Sequence, residues 1–105
     1  MKNYVFAYHG GKEFKSPAEG KKHMTRWMAW SNSLGDAWVN RGSPVGMSKT
    51  VSSSGVANNG GSNPLCGYSV VNAKSMDAAL EIAKKCPHID IGGSIEVAEV
   101  MDMEM

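Results

Sequence analysis

Tyr4-Val5-Phe6-Ala7-Tyr8-His9-Gly10-Gly11, followed by Ser16-Pro17-Ala18-Glu19, decides the architecture of this chain. The first run is aromatic and β-branched and ends on two glycines, which reads as a strand. Apolar side chains on both of its faces predict a central strand covered on both sides. The second run is a helix start. Ser16 can accept the N3 amide hydrogen, Glu19 can reach back to the Ser16 amide, and Pro17 sits at N1, where a missing N–H costs nothing. Met24, Trp27, Met28, Ser31 and Leu34 then recur at helical spacing, with His23, Trp27, Trp30 and Leu34 as a second row beside them. Gly35 is a natural helix stop.

Further along, Ala37-Trp38-Val39-Asn40 predicts a short second strand, and Arg41-Gly42-Ser43-Pro44 with Gly46 a turn-rich bend. Lys49–Ser52 reads as a third strand. Ser53 to Pro64 is rich in Ser, Gly and Asn and reads mainly as loop, with Val56-Ala57 as a minor strand of a hairpin. Leu65–Val71 is the next strand, where Gly67 signals a bulge or a close backbone approach. Ser75 caps a second helix with Met76, Ala79, Leu80 and Ala83 as its buried stripe, and Pro87 stops it. Ser94–Met101 is the last strand, packing through Ile95, Val97 and Val100, and Asp102–Met105 is expected to fray. With the irregular hairpin set aside, the order is βαββαβ, an α+β chain of ferredoxin-like pattern. Both helices then cover one face of the sheet. The other apolar face needs a partner, which predicts a homodimer.

The 105 residues suit one domain over 1–105, and a formal net charge of +1 leaves no basic footprint for nucleic acid. No run approaches the roughly 20 apolar residues of a spanning helix, and Met1-Lys2-Asn3 leads straight into the first strand, so neither membrane nor leader is expected. Cys66 and Cys86, without CxxC spacing, suit a reducing, cytoplasmic setting and read as small buried hydrophobes. Met24, Met28, Met47 and Met76 read as core filler. No metal-ligand spacing occurs, and no cofactor is expected; haem would need an axial histidine in a wide apolar pocket, and no residue pattern selects it.

The run Trp27-Met28-Ala29-Trp30, the bend Gly42-Ser43-Pro44, the strand Gly67-Tyr68-Ser69-Val70-Val71 and the ending Cys86-Pro87-His88 … Gly92-Gly93-Ser94-Ile95-Glu96-Val97 together resemble the YCII-related family, in its DGPF-type branch. The resemblance spans nearly the whole chain and implies a dimeric α/β barrel. The Asp-Gly-Pro-Phe signature is absent, and Gly61-Ser62-Asn63-Pro64 stands in roughly its place. Of the family's histidine and aspartate dyad, His23 lies about a residue from the first position and Cys86 replaces the second. The resemblance implies an enzyme without assigning its substrate. The neighbourhood of many such chains to sigma factors implies the alternative of an accessory protein.

Three histidines are the candidates for proton transfer near neutral pH. His9 ends the first strand, where a cavity mouth can open; the plain alternative is a solvated strand end. His23 borders the Trp27 and Trp30 row, which would wall a substrate pocket; the alternative is a half-exposed helix histidine. His88 and Asp90 lie two apart, and an aspartate can fix an imidazole tautomer; the alternative is ordinary loop chemistry. Glu96, Glu99, Asp102 and Glu104 read as a solvated strand edge. The expected function is a small-molecule enzyme or ligand-binding protein, with His23 or His9 as acid/base in a cleft between first helix and sheet, and His88 or Asp90 as helper. The alternative is a non-catalytic interaction protein using the Ser53–Pro64 loop or the dimer surface.

Overall fold

A computed structural model of the chain describes residues 1–101. The elements are β1 (Lys2–Gly10), α1 (Pro17–Leu34), β2 (Trp38–Pro44), β3 (Thr50–Ser52), β4 (Gly55–Ala57), β5 (Leu65–Ala73), α2 (Met76–Lys84) and β6 (Gly93–Glu99), with 3-10 turns at Gly35–Ala37 and Pro87–Ile91. Four strands make one antiparallel sheet in the order β2-β5-β1-β6, and β3 and β4 pair as a separate hairpin. The chain is thus a mixed α+β protein with two helices on an antiparallel sheet. The expected fraying of Asp102–Met105, and the solvated edge read at Asp102 and Glu104, lie outside the described residues.

Strand periodicity builds the core. Tyr4, Phe6 and Tyr8 of β1 alternate onto the helix-covered face, beside Ser69, Val71 and Ala73 of β5. Trp30 of α1, Ala79 and Ala83 of α2, and Cys86 close over them. Full burial of Phe6 stabilises the fold by roughly 1.5–3 kcal/mol. The Trp30 indole N–H donates to the Ile82 carbonyl at 3.1 Å, which ties α1 to α2. Each helix starts on its predicted cap: the Ser16 hydroxyl accepts from the Glu19 amide and the Ser75 hydroxyl from the Ala78 amide, each at 3.2 Å. The Glu19 carboxylate reaches the Lys15 amide instead of that of Ser16.

Within the single chain the helices cover one side of β1, as the βαββαβ order predicts; on the other side Val5, Ala7 and Val70 are half-buried and Tyr68 is exposed. The Cα extents of 43 × 40 × 18 Å are those of a two-layer slab. Several expectations are corrected. Met24, Met28, Met47 and Met76 are exposed, because the helix-covered face is already filled by aromatics and alanines. In α2 the buried face is Ala79 and Ala83, with Leu80 exposed at its margin. β6 ends at Glu99 and leaves Val100 exposed. No helix among the described residues is long and apolar enough to cross a membrane.

β2 continues through Arg41–Pro44, where the turn residues predicted a bend. Register jumps between Trp38 and Asn40 and between Asn40 and Ser43 absorb those residues as bulges without ending the strand. The Asn40 carboxamide oxygen accepts from the Gly42 amide at 2.8 Å, and Gly42 takes φ +71°. A Cβ there would collide with the Tyr68 carbonyl. Gly42→Ala is therefore expected to lower unfolding free energy by about 2 kcal/mol in urea titration, whereas Gly46→Ala, whose Cβ would meet open space, should leave it within about 0.5 kcal/mol.

Candidate functional site

On its helix side β5 carries Ser69, Val71 and Ala73, but at the next inward position, Gly67, it carries nothing. Ser31 of α1 and Gly42 and Ser43 of β2 are also small. Among the described residues no side chain fills the space between α1 and the β2–β5 edge, and a cleft of about 600 Å³ remains. That volume falls in the range of small-molecule sites. Trp27, Trp38, Tyr8 and Phe14 wall it, and His23 and His88 reach it from α1 and from the turn after α2.

The aromatic rings form a continuous chain of edge-on and tilted contacts. Trp38 meets Trp30 at a centroid distance of 5.4 Å, Trp30 meets Trp27 at 5.4 Å, Trp27 meets Tyr8 at 5.4 Å and Tyr8 meets His88 edge-on at 5.6 Å. A branch leaves Trp27 for His23 at 6.0 Å and continues to Phe14 at 5.1 Å. The Trp38 indole N–H donates to the Ser31 carbonyl at 2.8 Å, and this bond holds the α1 end of the cleft to β2.

His88 is buried, and its Nε2 lies 2.8 Å from the His9 carbonyl oxygen. A carbonyl can only accept, so Nε2 carries the hydrogen. In the neutral ring Nδ1 is then the basic nitrogen, and it has no hydrogen-bond partner among the described residues. Gly93 makes the seat for this ring, since a Cβ there would collide with Nε2.

His23 stands half-buried between Phe14 and Trp27, and neither ring nitrogen is hydrogen-bonded among the described residues. Desolvation lowers its pKa below the ordinary 6.5, and the nearby His88 and Arg26 push the same way against the opposing pull of Asp90. Burial raises the Tyr8 phenol well above its usual range; its hydroxyl shares a hydrogen bond with Ser69. Burial likewise pushes the Cys86 thiol up to about 12 and raises that of Cys66, whose Sγ–H points to the Tyr8 carbonyl at 3.1 Å. Neither cysteine is a reactive thiolate.

The cleft thus gathers His23, His88 and Trp27. Trp30 lies behind Trp27, buried, outside the cleft wall. His9 turns away from it. Its Nδ1–H donates to the Asn63 carbonyl at 3.0 Å, and Nε2 meets the Glu96 carboxylate at 3.1 Å, so the ring clips the segment before β5 to β1 and β6. Asp90 is exposed and makes no hydrogen bond to His88; the carbonyl of His9 does the orienting instead. Phe14, Arg41 and Tyr68 line the cleft without having been singled out in the sequence. For Phe14 a signal existed: Gly20, unfavourable inside a helix, leaves the room its ring occupies, with a Cβ there 3.3 Å from Phe14 Cδ2. Among the described residues no three His, Cys, Asp or Glu side chains converge as a metal site would require.

No protein-family model matches the chain, and no curated protein matches it.

His23 is expected to titrate below 6.5 by NMR, and to move upward in His88→Gln, which removes one positive neighbour. Because its folded pKa is depressed, the unfolded chain binds more protons just below 6.5, so this group's contribution to stability falls as pH drops through that point. A His23 midpoint at or above 6.5 would contradict the site electrostatics.

Proposed function

We propose that the chain is a small-molecule enzyme of the acid–base type, acting in the cleft between α1 and the sheet. One observation carries the proposal: His23 and His88 reach the same aromatic-walled cleft with ring nitrogens left unpartnered among the described residues. His88, its Nε2–H given to the His9 carbonyl, offers Nδ1 to a substrate proton; His23, kept neutral by its surroundings, can take or return one. Trp27 and Trp38 would hold an apolar or planar substrate against these groups. The reaction class that suits two imidazoles facing an aromatic-walled cleft is proton transfer at an activated C–H or O–H, as in isomerisation or elimination.

The resemblance to YCII-related chains is part of the same proposal. The order β2-β5-β1-β6 supports a ferredoxin-like sheet, and its uncovered face, with Val5, Ala7 and Val70, supports pairing of two copies. Light scattering is expected to return twice the 11.2 kDa chain mass, and Val70→Lys to reduce it to one. The two free cysteines support a reducing cytoplasmic setting. A second function, that of an accessory protein, is favoured by the β3–β4 hairpin, where the paired Val51 and Val56 are exposed, with Met47 exposed in the segment before it.

A panel of small carbon acids in deuterated water tests the two. Members that shift the His23, His88 and Trp27 resonances are expected to exchange an activated proton for deuterium. His88→Gln or His23→Gln should slow that exchange by about 10²–10⁴-fold while binding persists. Exchange that survives in both variants, or shifts confined to residues 47–57, would leave the accessory function standing in place of catalysis.

A further inference from the structure

We propose that the cleft selects a small planar aromatic carboxylate, with the Arg41 guanidinium as its anion anchor. The proposal rests on the cleft being a ligand site and names what that ligand is. Arg41 reaches the cleft from the bulged part of β2. Its Nη1 donates to the Ser31 hydroxyl at 2.8 Å, and its guanidinium lies 5.9 Å from the centre of the Trp38 ring. These contacts place the guanidinium over an aromatic face and use one of its five N–H donors. Among the described residues the carboxylates that meet a basic side chain are Glu99 with Lys2, Glu96 with the His9 ring and Glu81 with Lys84, so Arg41 has no carboxylate partner there.

Charge sharpens the choice. Among the described residues no aspartate or glutamate lines the cleft, and Arg41 is the one permanently charged side chain there. His23, which could add a second positive charge, has its protonated form disfavoured by burial. One uncompensated guanidinium at the exposed rim of an aromatic cleft favours a single negative charge on an apolar body. A phosphate or other polyanion would call for further cations that the lining does not hold. The planar fork matches two carboxylate oxygens, and the Ser31 hydroxyl, which accepts from Arg41, keeps its own hydrogen to donate. Trp27 and Trp38 supply the flat surfaces on which an aromatic ring would lie.

The probes are 2-naphthoate and its uncharged isostere 2-naphthamide, followed by tryptophan fluorescence and by amide shifts in the NMR spectrum. The naphthoate is expected to bind the wild-type protein about 10- to 100-fold more tightly than the amide, with an affinity that falls as salt is added. Arg41→Gln should erase that preference and leave the affinity for the amide unchanged. Arg41→Lys, which keeps the charge but not the fork, should restore only part of it. An unchanged amide spectrum away from the cleft would certify that each variant is folded. If both probes bind equally to wild type, or if the preference survives Arg41→Gln, the anion assignment is overturned while the cleft remains a ligand site. If neither probe perturbs the cleft at millimolar concentration, the anchor and the ligand site fall together.

Discussion

The hydrogen bond from His88 Nε2–H to the His9 carbonyl joins parts of the chain that everything else depends on. It pins the turn after α2 to the end of the central strand and closes one end of the cleft. It also fixes the tautomer of the one buried imidazole there. Two neighbouring conditions make it possible. Gly93 stands where any side chain would strike the ring, and the β1–β6 register sets Gly10 opposite Gly93, so both backbones pass close by. The catalytic geometry proposed for the cleft is thus a by-product of how the sheet closes against the second helix.

A second constraint is the height at which α1 rides above the sheet. Trp30 and Trp38 act as spacers, locked by indole bonds to the Ile82 and Ser31 carbonyls. With spacers of that size on one side and Gly67 on the other, the helix cannot collapse onto β5. Ordinary packing would fill such a gap, since voids forfeit contact energy. Here the exposed Met24 and Met28 rim it and leave it open. An aromatic cleft kept open by rigid, hydrogen-bonded rings is pre-organised, and a ligand entering it would not have to pay for ordering its walls.

The three histidines differ in their surroundings: His9 bonds a carbonyl and a carboxylate, His88 a carbonyl alone, and His23 packs between aromatic rings. His9 shows why spacing alone misleads: in phase with Val5 and Ala7, it follows the uncovered face, and Glu96 lies diagonal to it because the register sets Ala7 opposite Glu96 and His9 opposite Ser94. That contact depends on strand pairing, which local sequence does not encode. The His88 and Asp90 pairing looked plausible because the residues are two apart. In a 3-10 turn such residues point in different directions, and the ring found a carbonyl seventy-nine positions earlier in the chain.

The order of strands and helices, both helix caps and the hairpin inserted before β5 were legible in the sequence, whereas the first strand reads as apolar on both faces and only its packing shows that Tyr4, Phe6 and Tyr8 are the buried set. Each legible feature is a local matter of backbone propensity, capping or period, settled within a few residues. The cleft was legible only as a place, between the first helix and the sheet, with His23 and Trp27 beside it. Arg41 was not, because its residues carry turn chemistry and only pairing with β5 draws them into a bulged strand. Tertiary structure alone decided which methionines are exposed, which histidine turns inward and which charge is left without a partner. Those outcomes depend on what neighbouring elements bring into contact, and burial and electrostatics act between surfaces that the chain's local preferences do not specify.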